Sequence, residues 1–402
     1  MTGPAVGPRL PTLDVLRGLA VMGILLMNIG GFALPEGAYF NPHAVAVGGP
    51  ADRAIWLAEF VLVDGKLRNI FSMLFGAGIV LVIDRAVAAG QDEGAVHMRR
   101  MAVLALFGLA HSYLLWWGDI LFQYAVIGTL ALFLADRRPA ALVRFAVLCL
   151  LLHALIAVAS LAGLAALRTD PQDWRALAAQ IGAVDRPAIA AEIVRMHGSY
   201  AALLRHRLTV DLTMPVSMLI GSGLETLGMM LLGMAGLRSG FLTGAWPRRT
   251  YRRIALLGYG AGIPAMVLLA VWDVRSGFDP VVSLGVTTLW SLPFRAVLAL
   301  AHVALAILWL GSADGSVRTR IAAVGRAAFT NYLGTSLVMT TLFYGYGFGL
   351  FGRLDRLHLL AIVAAAWAVM LLWSKPWLDR HRHGPLEALW RRIARPRPVS
   401  QR

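Results

Sequence analysis

Apolar runs long enough to cross a bilayer as helices recur along the whole chain. The hydrocarbon core of a bilayer is roughly 30 Å thick, and a helix needs about 20 mostly apolar residues to cross it. A β-barrel would instead show short segments of alternating hydrophobicity. The sequence therefore predicts an all-α, polytopic membrane helical bundle of about ten transmembrane helices. The predicted spans are 13–34, 66–83, 101–117, 120–135, 141–167, 212–236, 252–272, 286–310, 325–345 and 357–374.

Composition and charge agree with a multi-pass membrane protein. Hydrophobic residues make up 58% of the chain and charged residues only 15%. The net charge of +15 would suit a nucleic-acid partner, but no basic region carries interleaved aromatic residues or a nucleic-acid-binding signature. When the loops are assigned alternately to the two sides, most Lys and Arg residues of the short loops fall on the side of both termini. By the positive-inside rule, both termini are predicted to be cytoplasmic.

One predicted span is preceded by too much apolar sequence for a single crossing. The stretch 54–83 would be about 45 Å long as one helix, more than the apolar core requires. We therefore predict a break at Asp64-Gly65, with 54–63 as an external interfacial or half-inserted helix. One long tilted helix is the alternative.

A segment of mixed polarity divides the chain into two groups of spans. Residues 168–211 have helical spacing but alternate polar and apolar residues, which predicts external amphipathic helices that cap the bundle. The spans before it lie within 13–167 and those after it within 212–390. No linker or low-complexity stretch separates these parts, so we expect one integral membrane domain over 1–402.

The first span carries a polar stripe. Asp14 and Arg17 are three residues apart and share a helix face. Asn28 follows Arg17 by eleven residues, roughly three turns further along nearly the same face. Polar side chains within a span are expected to face protein or water rather than lipid. The stripe indicates either residues that bind a substrate or donor, or hydrogen bonds that only join neighbouring helices.

A histidine and a carboxylate occur near the external end of the third span. His111 lies at about the depth predicted for Asn28, and Asp119 follows in a short turn between Trp117 and Tyr124. Histidine titrates near neutrality, and a neighbouring carboxylate can hold its tautomer, as general-base catalysis requires. We predict His111 as a base oriented by Asp119. The alternative is a histidine that only donates a hydrogen bond to another helix.

Other polar residues extend the set of candidate binding residues. His43 follows Asn41 in the first external loop and is a second candidate base. Glu225 and Arg295 both fall near mid-membrane, where a buried ion pair is more stable than two separate charges. The remaining candidate binding residues lie in the first external loop, at the external entrance, in the turn around Asp119 and at the start of the ninth span: Asn41, Lys66, Arg68, Trp117, Tyr124, Arg326, Asn331 and Tyr332.

No metal site is predicted. The only cysteine is Cys149, and no span carries two histidines at ligand spacing. The chemistry of this protein, if it is an enzyme, is therefore expected from side chains of membrane helices.

Several separated motifs resemble the bacterial YeiB-like membrane proteins, a family with a domain of unknown function, DUF418. The resemblance covers nearly the whole chain and implies a multi-pass protein of the bacterial cytoplasmic (inner) membrane, with 212–390 as the C-terminal family domain. The motifs are LDVLRG at 13–18, AYFNP at 38–42, LFGAG at 74–78, WGDIL at 117–121, GR at 325–326, TNY at 330–332, TTLFY at 340–344 and GPLE at 384–387.

The opening helix of that family is similar to the first helix of transmembrane acyltransferases. Those enzymes move an acyl group from a cytoplasmic donor, commonly acetyl-CoA, to a sugar on the far side of the membrane. The similarity implies acyltransferase-like helices over 13–167, with Arg17 engaging acyl-CoA. The O-acetylating members carry Arg and His eleven positions apart on this helix, whereas here Asn28 stands in place of the histidine. The base is then expected from His111 or His43.

The leading hypothesis is a membrane-embedded acyltransferase that moves an acyl group from cytoplasmic acyl-CoA to an acceptor in the envelope. The expected partners are the lipid bilayer and a small-molecule or glycan acceptor. A transporter or exporter of a small molecule predicts the same polar path, because charged residues within spans also mark substrate routes. A structural or signalling membrane subunit is a third reading.

Overall fold

The computed structural model describes residues 10–44, 49–311 and 315–394, and every regular element in these ranges is helical. The α-helices are α1 (Pro11–Ala33), α2 (Pro50–Leu62), α3 (Lys66–Ala88), α4 (Glu93–Leu114), α5 (Leu121–Leu132), α6 (Pro139–Ala166), α7 (Pro171–Gln180), α8 (Arg186–Met196), α9 (Tyr200–Thr209), α10 (Met214–Arg238), α11 (Arg248–Arg275), α12 (Pro280–Gly285), α13 (Leu292–Leu310), α14 (Gly315–Arg326), α15 (Ala328–Phe343), α16 (Arg356–Arg380) and α17 (Pro385–Ala394).

Within these ranges, seven helical segments are long and apolar enough to cross a membrane. The predicted all-helical, multi-pass membrane fold is thereby confirmed. Three more predicted spans coincide with α4, α5 and α15. Of these, α5 has 12 residues and α15 has 16, fewer than a straight crossing needs. The seven segments are Pro11–Ala33, Pro50–Ala88, Pro139–Thr169, Met214–Arg238, Arg248–Arg275, Leu292–Leu310 and Arg356–Arg380.

The predicted break at Asp64-Gly65 is present. A three-residue turn separates α2 from α3, and Gly65 adopts a φ of 70°, which favours glycine. A Cβ at Gly65 would also lie 2.4 Å from Cδ of Arg295. The turn therefore needs glycine both for its backbone conformation and for the close approach of this side chain.

Two predicted boundaries differ from the structure. The span predicted over 286–310 begins with a separate π-helical turn, Val286–Trp290, and α13 starts only at Leu292. The span predicted from 325 begins in the last turn of α14, since Ala327 leaves the helical region before α15. Hydrophobicity continues across both positions, so the apolar pattern alone could not reveal the interruptions.

Glycines let pairs of helices approach until their backbones touch. A Cβ at Gly76 on α3 would lie 2.0 Å from the carbonyl oxygen of Met230, and one at Gly233 on α10 would lie 1.8 Å from that of Met73. These reciprocal contacts hold α3 against α10. Small residues that allow close packing are a general device of membrane helices.

A second glycine-mediated crossing joins α1 to α14. A Cβ at Gly18 would lie 2.1 Å from the carbonyl oxygen of Ile321, and one at Gly325 would lie 1.9 Å from that of Asp14. The crossing brings the first turns of α1 next to the end of α14. It thereby places Arg17 and Arg326 in the same region of the molecule.

The bundle has two ends that differ in their contents. We call the end where α1 begins and α16 finishes the terminal face, and the other end the opposite face. At the opposite face, the predicted segment 168–211 forms α7, α8 and α9. The amide of Gly345 donates to the carbonyl of Met196 over 2.9 Å, and Tyr200 donates to that of Leu114 over 3.0 Å.

Candidate functional site

A cavity of about 350 Å³ opens at the terminal face. Its walls come from α1, α3, α4, α5, α15 and α17, and from the end of α14. Because these elements are far apart in the chain, the cavity exists only in the folded bundle. It combines a basic mouth with an apolar interior.

The mouth carries six arginines, and two acidic side chains stand among them. Asp14 accepts from Nη1 of Arg17 over 3.2 Å, so the two residues predicted to share a face of the first helix form an ion pair. Glu387 is the second acid. The excess of positive charge makes the mouth suitable for a ligand with several negative charges. The arginines are Arg17, Arg85, Arg100, Arg326, Arg382 and Arg391.

The interior is lined mainly by apolar side chains and ends at two tyrosines, Tyr124 and Tyr332. Tyr124 is fixed by a hydrogen bond between its hydroxyl and Oγ of Ser72, 2.6 Å apart. The hydroxyl of Tyr332 accepts from the backbone amide of Ile120 over 3.4 Å. The apolar lining includes Phe71, Leu74, Phe75, Ile79, Met101, Leu104, Leu121 and Phe329.

The predicted pair of His111 and Asp119 lies directly behind Tyr332. Nδ1 of His111 and Oδ1 of Asp119 are 2.8 Å apart, and both side chains are buried. The other carboxylate oxygen accepts from the amide of Phe122 over 2.8 Å and so caps the start of α5. The imidazole ring centroid is 5.3 Å from that of Tyr332.

The free nitrogen of this histidine is the notable feature of the pair. Nε2 of His111 is buried and has no hydrogen-bond partner among the atoms that the structure describes. The carboxylate bound at Nδ1 favours a proton on that nitrogen, which leaves Nε2 as the acceptor. A buried acceptor without a partner is costly, which marks it as a candidate for a bound hydroxyl or amine.

Trp116 is a buried part of this region that the sequence reasoning missed. Its ring stacks on Phe32 with 3.9 Å between centroids and lies 6.5 Å from the ring of His111. Trp117, which was predicted instead, is only half-buried and contacts Trp116 at 5.6 Å. The two tryptophans are adjacent in the chain, so only the fold distinguishes the buried one.

A buried ionic cluster lies on the other side of Tyr124. The predicted pair of Glu225 and Arg295 is confirmed, with 3.1 Å between Oε2 and Nη2. Arg68 donates to the same carboxylate oxygen over 2.7 Å, and Asn69 donates to Oε1 over 3.2 Å. The carbonyl of Arg68 also accepts from the Tyr124 hydroxyl over 3.3 Å, so the cluster is continuous with the inner end of the cavity.

The C-terminal helix α17 covers part of the cavity mouth. Its Glu387 accepts from the amides of Phe329 and Thr330 in the first turn of α15, over 2.8 and 3.1 Å. Its Trp390 lies under the guanidinium of Arg100, 4.3 Å from the ring centroid. This helix therefore supplies both a docking contact and a wall of the cavity, a role that the GPLE motif at 384–387 did not indicate by itself.

Comparisons with known proteins place the chain in a family. Residues 237–397 match the family described as "Protein of unknown function (DUF418)". The chain is 33% identical over 390 residues to "Uncharacterized protein YeiB" of Escherichia coli (strain K12), covering 95% of each chain. The chain belongs to the YeiB-like family. It is also 30% identical over 403 residues to "Uncharacterized protein YxaH" of Bacillus subtilis (strain 168), covering 95% of this chain and 93% of the relative. No solved structure matches it.

The DUF418 region of this YeiB-like chain supplies only part of the cavity. It contributes Arg326, Tyr332, Arg382 and Arg391, whereas the helices before residue 237 contribute the other walls and His111. The candidate site is therefore shared between the two halves of the sequence.

Some predicted residues of the YeiB-like chain lie away from the cavity. His43 is exposed and its ring packs edge-on against Phe278. Asn41 is buried and donates to the carbonyl of Gly182 over 2.8 Å, so it ties the loop after α1 to the segment after α7. Asn28 is half-buried and does not line the cavity.

Two further predicted residues have structural contacts. The Asn331 amide donates to the carbonyl of Val324 and to Ser374, both over 3.2 Å, and its oxygen accepts from Trp373 over 2.9 Å. These bonds occupy the amide and join α14, α15 and α16. Lys66 is buried and donates to the carbonyl of Phe60 over 2.5 Å.

Within the described ranges, no three His, Cys, Asp or Glu side chains are grouped so that they could hold a metal ion. The residues that are present suit another kind of ligand. The six arginines of the mouth match phosphate groups, and the apolar interior matches an extended, mostly apolar arm. An acyl-CoA combines these two properties.

Proposed function

We propose that this YeiB-like protein is a membrane-embedded acyltransferase that uses a cytoplasmic acyl-CoA donor, with acetyl-CoA as the reference case. The observation that carries the proposal is the cavity with six arginines at its mouth and the His111–Asp119 pair beyond its inner end. The acceptor is a hydroxyl or amine compound, a small molecule or glycan, at the opposite face.

The proposed orientation places the terminal face in the cytoplasm of a bacterium, at the inner membrane. The distribution of Lys and Arg supports this assignment, because the short loops at the terminal face hold most of them. Because α1 begins and α16 finishes at this face, the proposed orientation puts both termini inside. The relatives in Escherichia coli and Bacillus subtilis agree with a bacterial location.

Donor binding follows from the chemistry of the cavity. The guanidinium groups at the mouth bind the phosphates of CoA, while the pantetheine arm extends along the apolar interior. The thioester then lies near Tyr124 and Tyr332, the residues that end the cavity. Asp14 limits the positive charge at Arg17 and fixes the direction of its side chain through the 3.2 Å ion pair.

In the proposed reaction, the acceptor approaches His111 from the opposite face. Nε2 takes the proton of the acceptor hydroxyl as its oxygen attacks the thioester carbon, and Asp119 stabilises the imidazolium that forms. The C–S bond then breaks, the CoA thiolate leaves, and the proton from His111 passes to it. The products are the acylated acceptor and CoA. Tyr332 separates His111 from the cavity and must move aside for this step.

Purified protein tests the proposal directly. It should bind acetyl-CoA in isothermal titration and hydrolyse it slowly without an acceptor. Arg17→Ala and Arg326→Ala should each weaken binding by about tenfold, the loss of one charge-assisted phosphate contact. Arg99→Ala is the control, since Arg99 is exposed at the terminal face and does not line the cavity. Absence of binding, or equal loss in the control, would reject the proposal.

A transporter or exporter is the second candidate. The observation that favours it is the buried ionic cluster formed by Glu225 with Arg295, Arg68 and Asn69. This cluster continues from the Tyr124 hydroxyl beyond the inner end of the cavity, as expected for a substrate path through the bundle. Proteoliposomes distinguish the two functions. Substrate-dependent flux without acyl-CoA turnover would support transport, whereas turnover without flux would support acyl transfer.

A further inference from the structure

A second concave surface lies on the outside of the bundle, between α11 and α13, and has a volume of about 570 Å³. It is separate from the cavity at the terminal face, and the two share no lining residue. Most of its lining is apolar. We call it the α11–α13 groove; its residues are Arg252, Ala255, Leu256, Tyr259, Gly260, Ile263, Pro264, Leu305 and Leu308.

The sequence of α11 explains why a groove forms at this place. Gly260 has no side chain, and a Cβ there would meet no described atom within 4 Å. Pro264 lies inside the helix and has no N–H, so the carbonyl of Gly260 loses its usual helical donor. The helix surface is therefore open at Gly260, within the groove.

The walls of the groove are exposed on the outside of the bundle. Leu256 is 64% exposed and Leu305 is 49% exposed, although both lie on segments apolar enough to span a membrane. Side chains of this kind on a spanning helix contact acyl chains of the bilayer. A long apolar depression among them fits one acyl chain better than it fits a polar solute.

One end of the groove is basic. Arg252 lines it in the second turn of α11, close to the terminal face. Arg248 lies one turn earlier, and its Nη2 donates to the carbonyl of Leu308, another lining residue, over 3.3 Å. Two guanidinium groups thus lie at one end of a segment apolar enough to span a membrane, where lipid headgroups are expected, beside the end of an apolar groove.

We propose that the α11–α13 groove binds one anionic glycerophospholipid of the bilayer, with an acyl chain along Gly260 and Pro264 and the phosphate at Arg252. The charge complementarity and the continuity of apolar and basic surface select this occupant. The proposal does not depend on the acyltransferase function, because neither the cavity nor His111 takes part in it.

Native mass spectrometry of delipidated protein, titrated with phosphatidylglycerol, tests the assignment. Gly260→Leu should fill the groove and weaken binding of the tightest lipid by about tenfold or more, as displacing about two methylene groups predicts. Gly163→Leu is the matched control: Gly163 is exposed on α6, and a Cβ there also meets no described atom within 4 Å. Equal binding by both variants would overturn the proposal.

The headgroup contact has its own test. Arg252→Gln should weaken phosphatidylglycerol binding by about fivefold and leave binding of zwitterionic phosphatidylcholine unchanged, as expected for one basic residue at the membrane surface. A variant that loses both lipids equally, or neither, would contradict an anion contact at Arg252. Adding free glycerol phosphate should not compete, since the acyl chain supplies most of the binding; competition at equal concentration would refute a lipid site.

Discussion

Glu387 of α17 caps the first turn of α15, with 2.8 Å between its Oε1 and the backbone nitrogen of Phe329. The two residues are separated by 58 positions in the chain, and the contact joins the C-terminal helix to the bundle. Capping normally comes from a residue that directly precedes the helix. Here the residue before α15 is Ala327, which has no side-chain acceptor, and the carboxylate comes from another helix.

Replacing this carboxylate should loosen the C-terminal helix. Glu387→Ala leaves the amides of Phe329 and Thr330 without their acceptor, and we expect a loss of about 1–2 kcal/mol in stability. Trypsin should then cleave faster at Arg391 and Arg392. Asp379→Ala is the control, because it removes only an exposed ion pair with Lys375 and should change stability by less than about 0.5 kcal/mol. Identical proteolysis of both variants would refute the role of this cap.

Filling the cavity should block the donor without disturbing the fold. Gly78 lines the cavity, and a Cβ there would meet no described atom within 4 Å. Gly78→Leu is therefore expected to reduce acetyl-CoA affinity by about tenfold or more, with an unchanged unfolding temperature. Gly221→Leu on α10 offers the comparison, since Gly221 is equally uncrowded but lies outside the cavity. Normal titration curves for Gly78→Leu would argue against donor binding there.

The His111–Asp119 pair should affect turnover rather than donor binding. Asp119→Asn retains an oxygen that can cap Phe122, but it no longer stabilises the imidazolium of His111. We expect acyl-CoA-dependent turnover to fall by roughly 10²–10⁴, while the dissociation constant for acetyl-CoA changes less than about twofold. His111→Ala should have the same two effects: a similar loss of turnover and a nearly unchanged dissociation constant for acetyl-CoA. Turnover at the wild-type level in either variant would show that another group acts as the base.

Glu36 and Glu192, two acidic residues close together at the opposite face, should make the stability of the protein depend on pH. Burial, and then the nearby charge of Glu192, raises the pKa of Glu36 to about 7, with Asp211 adding to the effect and Arg195 opposing it. The folded state therefore holds a proton that the unfolded state releases near pH 4.5. The contribution of Glu36 to the free energy of unfolding should be fully present below pH 4.5 and be lost as pH rises through about 7, by up to about 3 kcal/mol.

Thermal unfolding in detergent between pH 5 and 8 measures this effect. Glu36→Gln cannot ionise and should remove most of the decline, leaving the variant more stable than the wild type at pH 8. Glu93→Gln, an exposed residue in the first turn of α4, should keep the wild-type slope. If the unfolding temperatures of wild type and Glu36→Gln change with pH in parallel, Glu36 does not titrate in this range.

Several contacts could be predicted from the sequence, two of them from residue spacing and one from the cost of buried charge. Asp14 and Arg17 lie on one helix three residues apart, so their pairing follows from helix geometry alone. His111 and Asp119 are separated by a turn too short to move them apart, and they pair over 2.8 Å. The pairing of Glu225 with Arg295 followed from the cost of leaving either charge alone in the membrane.

Other relations could not be predicted because spacing does not encode neighbours on different helices. Arg85, Arg100, Arg382 and Arg391 each look like ordinary positive-inside residues, yet the fold gathers them around one cavity mouth. His43 resembles a candidate base in the sequence, but its loop turns it towards Phe278. Each of these outcomes depends on how helices far apart in the chain are placed.

The sequence by itself determined the membrane-spanning helices of this protein, the break at Asp64-Gly65, and the ion pairs within one helix or one short turn. These depend on hydrophobicity and local geometry, which act over a few residues. Only the tertiary structure decided that Glu387 caps α15 and that Arg17 and Tyr332 line the same cavity. Such relations arise from helix crossings set by close packing, as at Gly18 and Gly325, and no local pattern records them.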